Sequence, residues 1–159
     1  MNNYYVPPDI SHIPNIRLYM DQMIEYLENI LEPLMDEDDK ALITKTMVNN
    51  YVKSGLIEKP EKKKYAKNQI MNLLITCHFK NVLSIDEISE LFKIKEKLYS
   101  QEGFYLSYRK ACLDIDKEVE DNEYSKDSLD YTIKAIIMSD YYKRMAKKSL
   151  KDKSVQLDD

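Results

Sequence analysis

The sequence predicts an all-α protein, in which a helix-turn-helix domain is followed by a small C-terminal helical region. The chain of 159 residues contains only two glycines and no tryptophan, which disfavours sheet-rich and loop-rich folds. Lysine, glutamate, leucine and methionine are abundant, and all four favour helix. Apolar residues also recur at steps of three and four, the spacing of one face of an α-helix.

The same pattern divides the chain into three parts. Residues 1–15 contain three prolines and are expected to form an irregular arm. Residues 16–98 form the helix-turn-helix domain, and residues 99–159 form a helical region for dimerisation or effector binding. A chain of this length can bury roughly two-thirds of its unfolded surface, so stability requires no disulfide, metal or cofactor.

The composition also indicates the cellular compartment in which the protein is expected. Cys77 and Cys112 stand alone and far apart, as in proteins of a reducing cytosol. No apolar stretch follows a basic N-terminus, so we expect no signal peptide. No apolar run approaches the roughly 18 residues of a membrane span. The sequence therefore predicts a cytoplasmic protein that makes no membrane contact.

Six helices follow from the apolar spacing and from capping residues. Ser84 and Glu87 form a capping box for the fourth helix. Gly103 is expected to break the chain before the fifth helix, and residues 154–159 to fray. The predicted helices cover 16–31, 44–54, 68–79, 85–98, 105–120, and a last stretch from a cap at Ser125 or Asp127 to about residue 150.

The chain is organised around residues 43–65, which combine a short helix with a basic tip. Thr44 can cap the helix, and Gly55 can end it in the left-handed conformation. Pro60 prevents a helical restart, and Lys62 to Tyr65 form a short basic wing. The polar residues of the helix lie away from its apolar face and suit a DNA groove: Lys45, Thr46, Asn49, Asn50 and Lys53.

Charge is unevenly distributed along the chain. Residues 1–39 carry a net charge of −8, residues 40–68 carry +6, and residues 69–159 carry −2, which gives the overall −4. The positive charge therefore concentrates on the organising stretch, as expected of a phosphate-contacting patch, although charge runs are usually just solvated. The first helix has an acidic outer edge, which DNA would repel and which should face away from it: Asp21, Glu25, Glu28 and Glu32.

The last helix is apolar around most of its circumference. One stripe contains Leu129, Ile133, Ile136, Ile137, Tyr141 and Met145, and a second contains Tyr131, Ala135, Met138 and Tyr142. A helix with this pattern is expected to be buried on more than one side. It can form a subunit interface or the wall of a small-molecule effector site, and the candidate residues are Tyr131, Met138, Tyr141 and Tyr142.

The block from Thr44 to Phe92 resembles the DNA-binding domain of MerR-type bacterial regulators. The matching motifs are Tyr51-Val52-Lys53-Ser54-Gly55-Leu56-Ile57, Pro60, Lys62-Lys63-Lys64-Tyr65 and Leu83-Ser84-Ile85-Asp86-Glu87-Ile88. The segment from Ile16 to Phe92 is similar to an uncharacterised bacterial family, domain of unknown function 1836. The MerR-like resemblance implies a winged helix-turn-helix; where those regulators carry Arg-Tyr-Tyr, this chain has Asn49-Asn50-Tyr51.

The leading hypothesis is a sequence-specific DNA-binding transcriptional regulator that acts as a homodimer on double-stranded DNA. Asn49 and Asn50 would contact base edges, and the lysines would neutralise phosphates. Thr44 and Thr46 belong to the same predicted DNA-binding set. Tyr51 and Tyr65 would pack inward and offer their hydroxyl groups to phosphate. The phosphate-contacting lysines would be Lys45, Lys53, Lys62, Lys63 and Lys64.

Two other classes of function remain open at this point. The same scaffold could be a protein-interaction module, in which Asn49 and Asn50 only cap and solvate a helix end. An enzyme is disfavoured, because neither of the two histidines lies near a nucleophile in sequence and no Gly-rich phosphate loop is present.

Overall fold

The computed structural model describes residues 5–36, 38, 41–120 and 128–159, and within them the fold is mainly helical. This confirms the predicted fold class at the level of secondary structure. The helices are α1 (Met20–Leu31), α2 (Lys45–Lys53), α3 (Lys67–Phe79), α4 (Ile85–Leu98), α5 (Gln101–Glu120) and α6 (Leu129–Asp158). Two short strands, β1 (Leu18–Tyr19) and β2 (Lys64–Tyr65), and two 3-10 turns, Ile10–His12 and Glu32–Leu34, complete the described elements.

Local capping signals set the beginnings of two helices as the sequence predicts. The Thr44 hydroxyl accepts a hydrogen bond from the Met47 amide at 3.2 Å and caps α2. At α4, the Ser84 hydroxyl accepts from the Glu87 amide at 3.1 Å, and the Glu87 carboxylate accepts from the Ser84 amide at 3.0 Å. Each bond satisfies an amide that the first helical turn leaves without a partner.

Helix α3 lies at the centre of the hydrophobic core. Because α1 and α5 both pack against it, its apolar residues are buried on several sides rather than along one stripe. Helix α2 and strand β2 contact α1, so the organising stretch is attached to the core through that helix. The buried side chains of α3 are Gln69, Ile70, Met71, Leu73, Leu74, Ile75, Thr76 and Cys77.

The start of the first helix differs from the prediction. The sequence favours a helix from residue 16, but α1 begins at Met20. Residues 18 and 19 instead form β1 and pair antiparallel with β2, with Leu18 opposite Tyr65. Ile16, assigned to the apolar stripe, is 72% exposed. The strand pairing supplies backbone hydrogen bonds to a partner far away in sequence, which local spacing cannot reveal.

The start of the fifth helix also differs from the prediction. Gly103 does not interrupt the chain, since α5 begins at Gln101 and continues through it. The Ser100 hydroxyl accepts from the Gly103 amide at 3.0 Å and so stabilises this first turn.

Helix α6 begins slightly later than predicted, at Leu129, and extends beyond its predicted end near residue 150. It is capped by Ser128, whose hydroxyl accepts from the Tyr131 amide at 3.2 Å. The two caps proposed from the sequence lie outside the described residues. The end expected to fray is helical to Asp158, and this part of α6 lies against α4, where Lys147 donates to Glu87 at 3.0 Å.

The N-terminal arm is irregular, but its described part is built into the core. Tyr5 is 3% exposed and Ile13 is 1% exposed. The Tyr105 hydroxyl donates to the Pro8 carbonyl at 2.6 Å, and Arg109 donates to the Pro7 carbonyl at 3.1 Å. One hydrophobic core therefore includes the arm, the helices α1 to α4 and the first half of α5.

Candidate nucleic-acid interface

Helix α2 presents opposite chemistry on its two sides. Val48 is fully buried and Tyr51 is 7% exposed, so these residues attach the helix to the core. The polar residues point outward as the sequence predicts, and all of them are exposed: Lys45, Thr46, Asn49, Asn50 and Lys53.

The end of α2 is fixed by backbone geometry. Gly55 has a φ of +80°, and the Ile57 amide donates back to the Tyr51 carbonyl at 3.1 Å. Leu56 and Ile57 then enter the core with exposures of 7% and 1%. Because only glycine adopts this conformation without steric cost, Gly55 sets the direction in which the chain leaves the helix.

The wing is a tight hairpin with two lysines at its tip. The amides and carbonyls of Glu61 and Lys64 exchange two hydrogen bonds, of 3.2 Å and 3.0 Å. Between them, Lys62 and Lys63 have φ values of +50° and +64°, and both side chains are exposed. Two successive left-handed residues define a type I′ turn, in which Asn-Gly is the preferred pair. The chain therefore presents two ammonium groups at positions where their backbone is strained.

The base of the wing is held by a buried glutamine that sequence reasoning missed. Gln69 is 5% exposed and donates to the carbonyls of Glu58 at 2.9 Å and Lys59 at 3.2 Å. Its carbonyl oxygen accepts from the Ala66 amide at 2.6 Å. One side chain thus satisfies backbone groups on both sides of the wing and links it to α3.

Lys64 does not belong to the exposed tip. It pairs with Tyr19 in the two-stranded sheet, and its ammonium nitrogen lies 4.8 Å from the centroid of the Tyr19 ring. This cation–π contact and the partial burial of Lys64 assign the side chain to the fold. Contact of Lys64 with phosphate remains a prediction.

Residues 17 to 21 connect α2 and the wing. Asp21 forms an ion pair with Lys45 at 2.5 Å, and Arg17 forms one with Glu61 at 2.9 Å. Since Tyr19 contacts Lys64, the start of α2 and the hairpin both lie against the same end of α1. The acidic edge of α1 was expected to face away from DNA, but Asp21 lies beside the candidate interface.

Tyr51 and Tyr65 pack inward, as the sequence predicts. Tyr65 is only 2% exposed, and burial raises the pKa of both hydroxyl groups, which therefore stay protonated at neutral pH. Little of either ring reaches the surface. The proposed hydroxyl contacts with phosphate remain a prediction.

A second polar group that the sequence did not identify lies at the interface of α3 and α5. The Nδ1 atom of His78 is 2.8 Å from the Tyr108 hydroxyl, and Tyr5 packs edge-on against the imidazole at 5.3 Å. Burial lowers the pKa of His78 to about 4. His78 is therefore neutral at pH 7, and its environment is that of a structural contact.

The C-terminal candidates do not line an enclosed cavity with one another. Tyr141 and Tyr142 are each 58% exposed, and their rings lie edge to face at 5.6 Å. Tyr141 borders an open groove on the surface of α6, and Met138 is 41% exposed. Tyr131 is half-buried and lies ten residues earlier on the helix. The expected burial of α6 on more than one side is not provided by this single chain.

Within the described part of the chain, no helix has both the length and the apolar character needed to cross a membrane. The same residues contain no group of three or more histidine, cysteine or acidic side chains that could hold a metal ion.

Comparison with known proteins places most of this structure in one family. No curated protein and no solved structure matches the chain. The family model for a domain of unknown function, DUF1836, matches residues 8–111, a range that begins in the arm and ends within α5. The described part of this range contains the candidate interface and most of the hydrophobic core, and the chain belongs to the DUF1836 family.

Proposed function

We propose that the protein is a sequence-specific regulator that binds double-stranded DNA through a MerR-like winged helix-turn-helix. Helix α2 enters the major groove, and the hairpin tip contacts the adjacent backbone. The observation that carries this proposal is that α2 and the wing both contact residues 17–21, at the start of α1.

Base readout is assigned to two amides in the middle of α2. Asn49 and Asn50 are both exposed on the outer side of the helix. An asparagine amide can make two hydrogen bonds to adenine, worth about 1–3 kcal/mol of discrimination. Thr46 borders these residues and can add a hydroxyl contact.

Backbone contacts are assigned to exposed lysines at three places. Lys45 lies at the start of α2, Lys53 lies at its end, and Lys62 and Lys63 lie at the tip of the wing. Each phosphate that a lysine neutralises releases counterions, so affinity should fall steeply as salt increases. The spread of these groups would fix the orientation of α2 before any base is read.

The test is selection of DNA from a pool of random duplexes, followed by anisotropy titrations of the selected sequence at several salt concentrations. We expect an enriched sequence, binding that weakens with salt, and a loss of sequence preference in Asn49→Ala/Asn50→Ala. Absence of enrichment at low salt would reject the proposal.

A second candidate is a protein-interaction module, favoured by the exposed apolar surface of α6. In that case the purified protein would bind a partner protein stoichiometrically and retain no duplex at low salt. Charge reversal at Lys62 and Lys63 would then leave partner binding unchanged, whereas the DNA-binding proposal requires that the same variant lose its duplex affinity.

A further inference from the structure

A cleft of about 530 Å³ lies between α3, α4 and the segment that follows α2. This volume is in the range of small-molecule sites, and the lining is mainly polar. One charged residue of the lining, Lys95, is buried, with an exposed fraction of 5%. The lining also includes Gly55 and Glu58 after α2, Asn72 on α3, and Gln101 at the start of α5.

The Lys95 ammonium group is held by neutral groups. Its nitrogen donates a hydrogen bond to Oδ1 of Asn72, which also lines the cleft. The same nitrogen lies 4.3 Å from the centroid of the Phe92 ring and 5.3 Å from that of Phe104. Ring faces attract a cation, but they do not replace a hydrogen-bond acceptor. Since an ammonium group has three N–H donors, the described contacts leave it able to donate to a ligand.

Burial makes the charge of Lys95 costly. Removal from solvent lowers the pKa of its amine to about 8, although the neighbouring Glu96 acts in the opposite direction. Lysine is almost never fully buried unless a charged group pairs with it. A carboxylate that entered the cleft would supply that pair and would offset part of the desolvation cost, because charges attract more strongly where water is excluded.

The mouth of the cleft carries the opposite charge. Glu58 and Glu96 line it with exposed side chains. Lys93 lines it too, but its ammonium nitrogen forms an ion pair with Glu90 at 3.8 Å. The cleft is therefore cationic in its buried part and acidic at its rim. A ligand with a carboxylate at one end and an ammonium group at the other matches both parts, whereas the rim would repel a dianion.

We propose that this cleft binds a free α-amino acid, whose carboxylate accepts a hydrogen bond from the Lys95 ammonium group and whose amine faces Glu58 and Glu96. The side-chain amides of Asn72 and Gln101 can add neutral hydrogen bonds. The exposed face of α2 and the lining of the cleft share no residue, so this proposal and the DNA-binding proposal can fail separately.

The test begins with a thermal-shift screen of the standard amino acids, each at about 5 mM, with the full chain and no DNA. We expect at least one of them to raise the Tm, and titration calorimetry then measures its Kd. Lys95→Met should weaken this binding roughly tenfold or more, because it removes a hydrogen bond between charged groups. Methionine keeps the unbranched stem and packs well beside aromatic rings, so the variant should remain folded.

Two matched controls locate the interaction. Lys97→Met makes the same substitution at an exposed position of α4 outside the lining of the cleft, and its Kd should equal that of the unmodified chain. The des-amino analogue of the ligand, which keeps the carboxylate and lacks the amine, should bind roughly two- to fivefold more weakly, since exposed ion pairs contribute little. Equal or tighter binding of this analogue would overturn the assignment of an amino acid.

The pH dependence gives a readout that needs no variant. Since the amine of Lys95 has a pKa of about 8, the affinity of the unmodified chain for the des-amino analogue should fall roughly fourfold between pH 7 and pH 8.5. The analogue has no amine, so its own titration does not contribute. A flat profile, no thermal shift with any amino acid, or unchanged binding in Lys95→Met would each overturn the proposal.

Discussion

The hairpin tip allows stability and DNA binding to be changed in opposite directions. The double substitution Lys62→Asn/Lys63→Gly keeps the type I′ turn and replaces both lysines by its preferred residues. Left-handed lysines are strained by at least about 1 kcal/mol each, so the variant should be more stable by roughly 1–2 kcal/mol. A loss of binding in a more stable protein could not be attributed to unfolding.

The same substitution removes two of the proposed phosphate contacts. The slope of log K against log[salt] should become shallower by about 1.8, and affinity at 0.15 M salt should fall roughly thirtyfold. Urea unfolding followed by circular dichroism measures stability, and fluorescence anisotropy with a selected duplex measures binding from 50 to 200 mM salt. The charge-matched control is Lys93→Asn/Lys97→Asn, which removes two exposed lysines from α4.

Two outcomes would contradict this reasoning separately. Unchanged affinity and salt slope in the variant would show that the tip does not contact phosphate. Lower stability would show that the turn does not have the left-handed geometry of Lys62 and Lys63 on which the argument rests. An equal loss of affinity in the α4 control would indicate a general effect of net charge rather than a local contact.

Three further predictions concern α1, α2 and α3. Asn49→Ala and Asn50→Ala should each reduce discrimination between the selected duplex and a single-base variant by about 1–3 kcal/mol, measured by competition anisotropy, with little change in the salt slope. Asp21→Asn should release Lys45 from its ion pair and raise duplex affinity roughly two- to fivefold; an unchanged or weaker affinity would argue against a role of Lys45 at the backbone. Since the folded-state pKa of His78 lies near 4, below its ordinary 6.5, protonation favours the unfolded state, and stability should fall by on the order of 3 kcal/mol as the pH decreases from 6.5 to below 4. In His78→Gln, the free energy of unfolding measured with urea should fall less over this pH range, because no imidazole is protonated. A pH profile identical to that of the unmodified protein would contradict the assignment.

Local signals in the sequence were sufficient for much of the fold. Thr44, Ser84 and Gly55 act through bonds or conformations within four residues of themselves, so their roles were visible without tertiary information. The pairing of β1 with β2 was not visible, because it joins residues 47 positions apart, Leu18 and Tyr65. The same limit explains why residue 16 was assigned to a helix.

The candidate site shows the same division. The outward direction of Asn49 and Asn50 followed from helical spacing alone. The contacts of Lys64 with the Tyr19 ring and of Asp21 with Lys45 were not visible, because each joins two different elements. Gln69 was missed for a related reason, since a glutamine in an apolar helix gives no sign of the carbonyl groups that it will bind.

The charge pattern of the chain acquires a physical meaning from these contacts. The acidic first segment and the basic organising stretch meet at Asp21 and Lys45. Both side chains are largely exposed, at 78% and 64%, so solvent screens the pair and phosphate can compete for the lysine. A net charge of −4 therefore does not oppose DNA binding by itself. It predicts that affinity depends on a few local lysines, and that acids beside them limit non-specific binding.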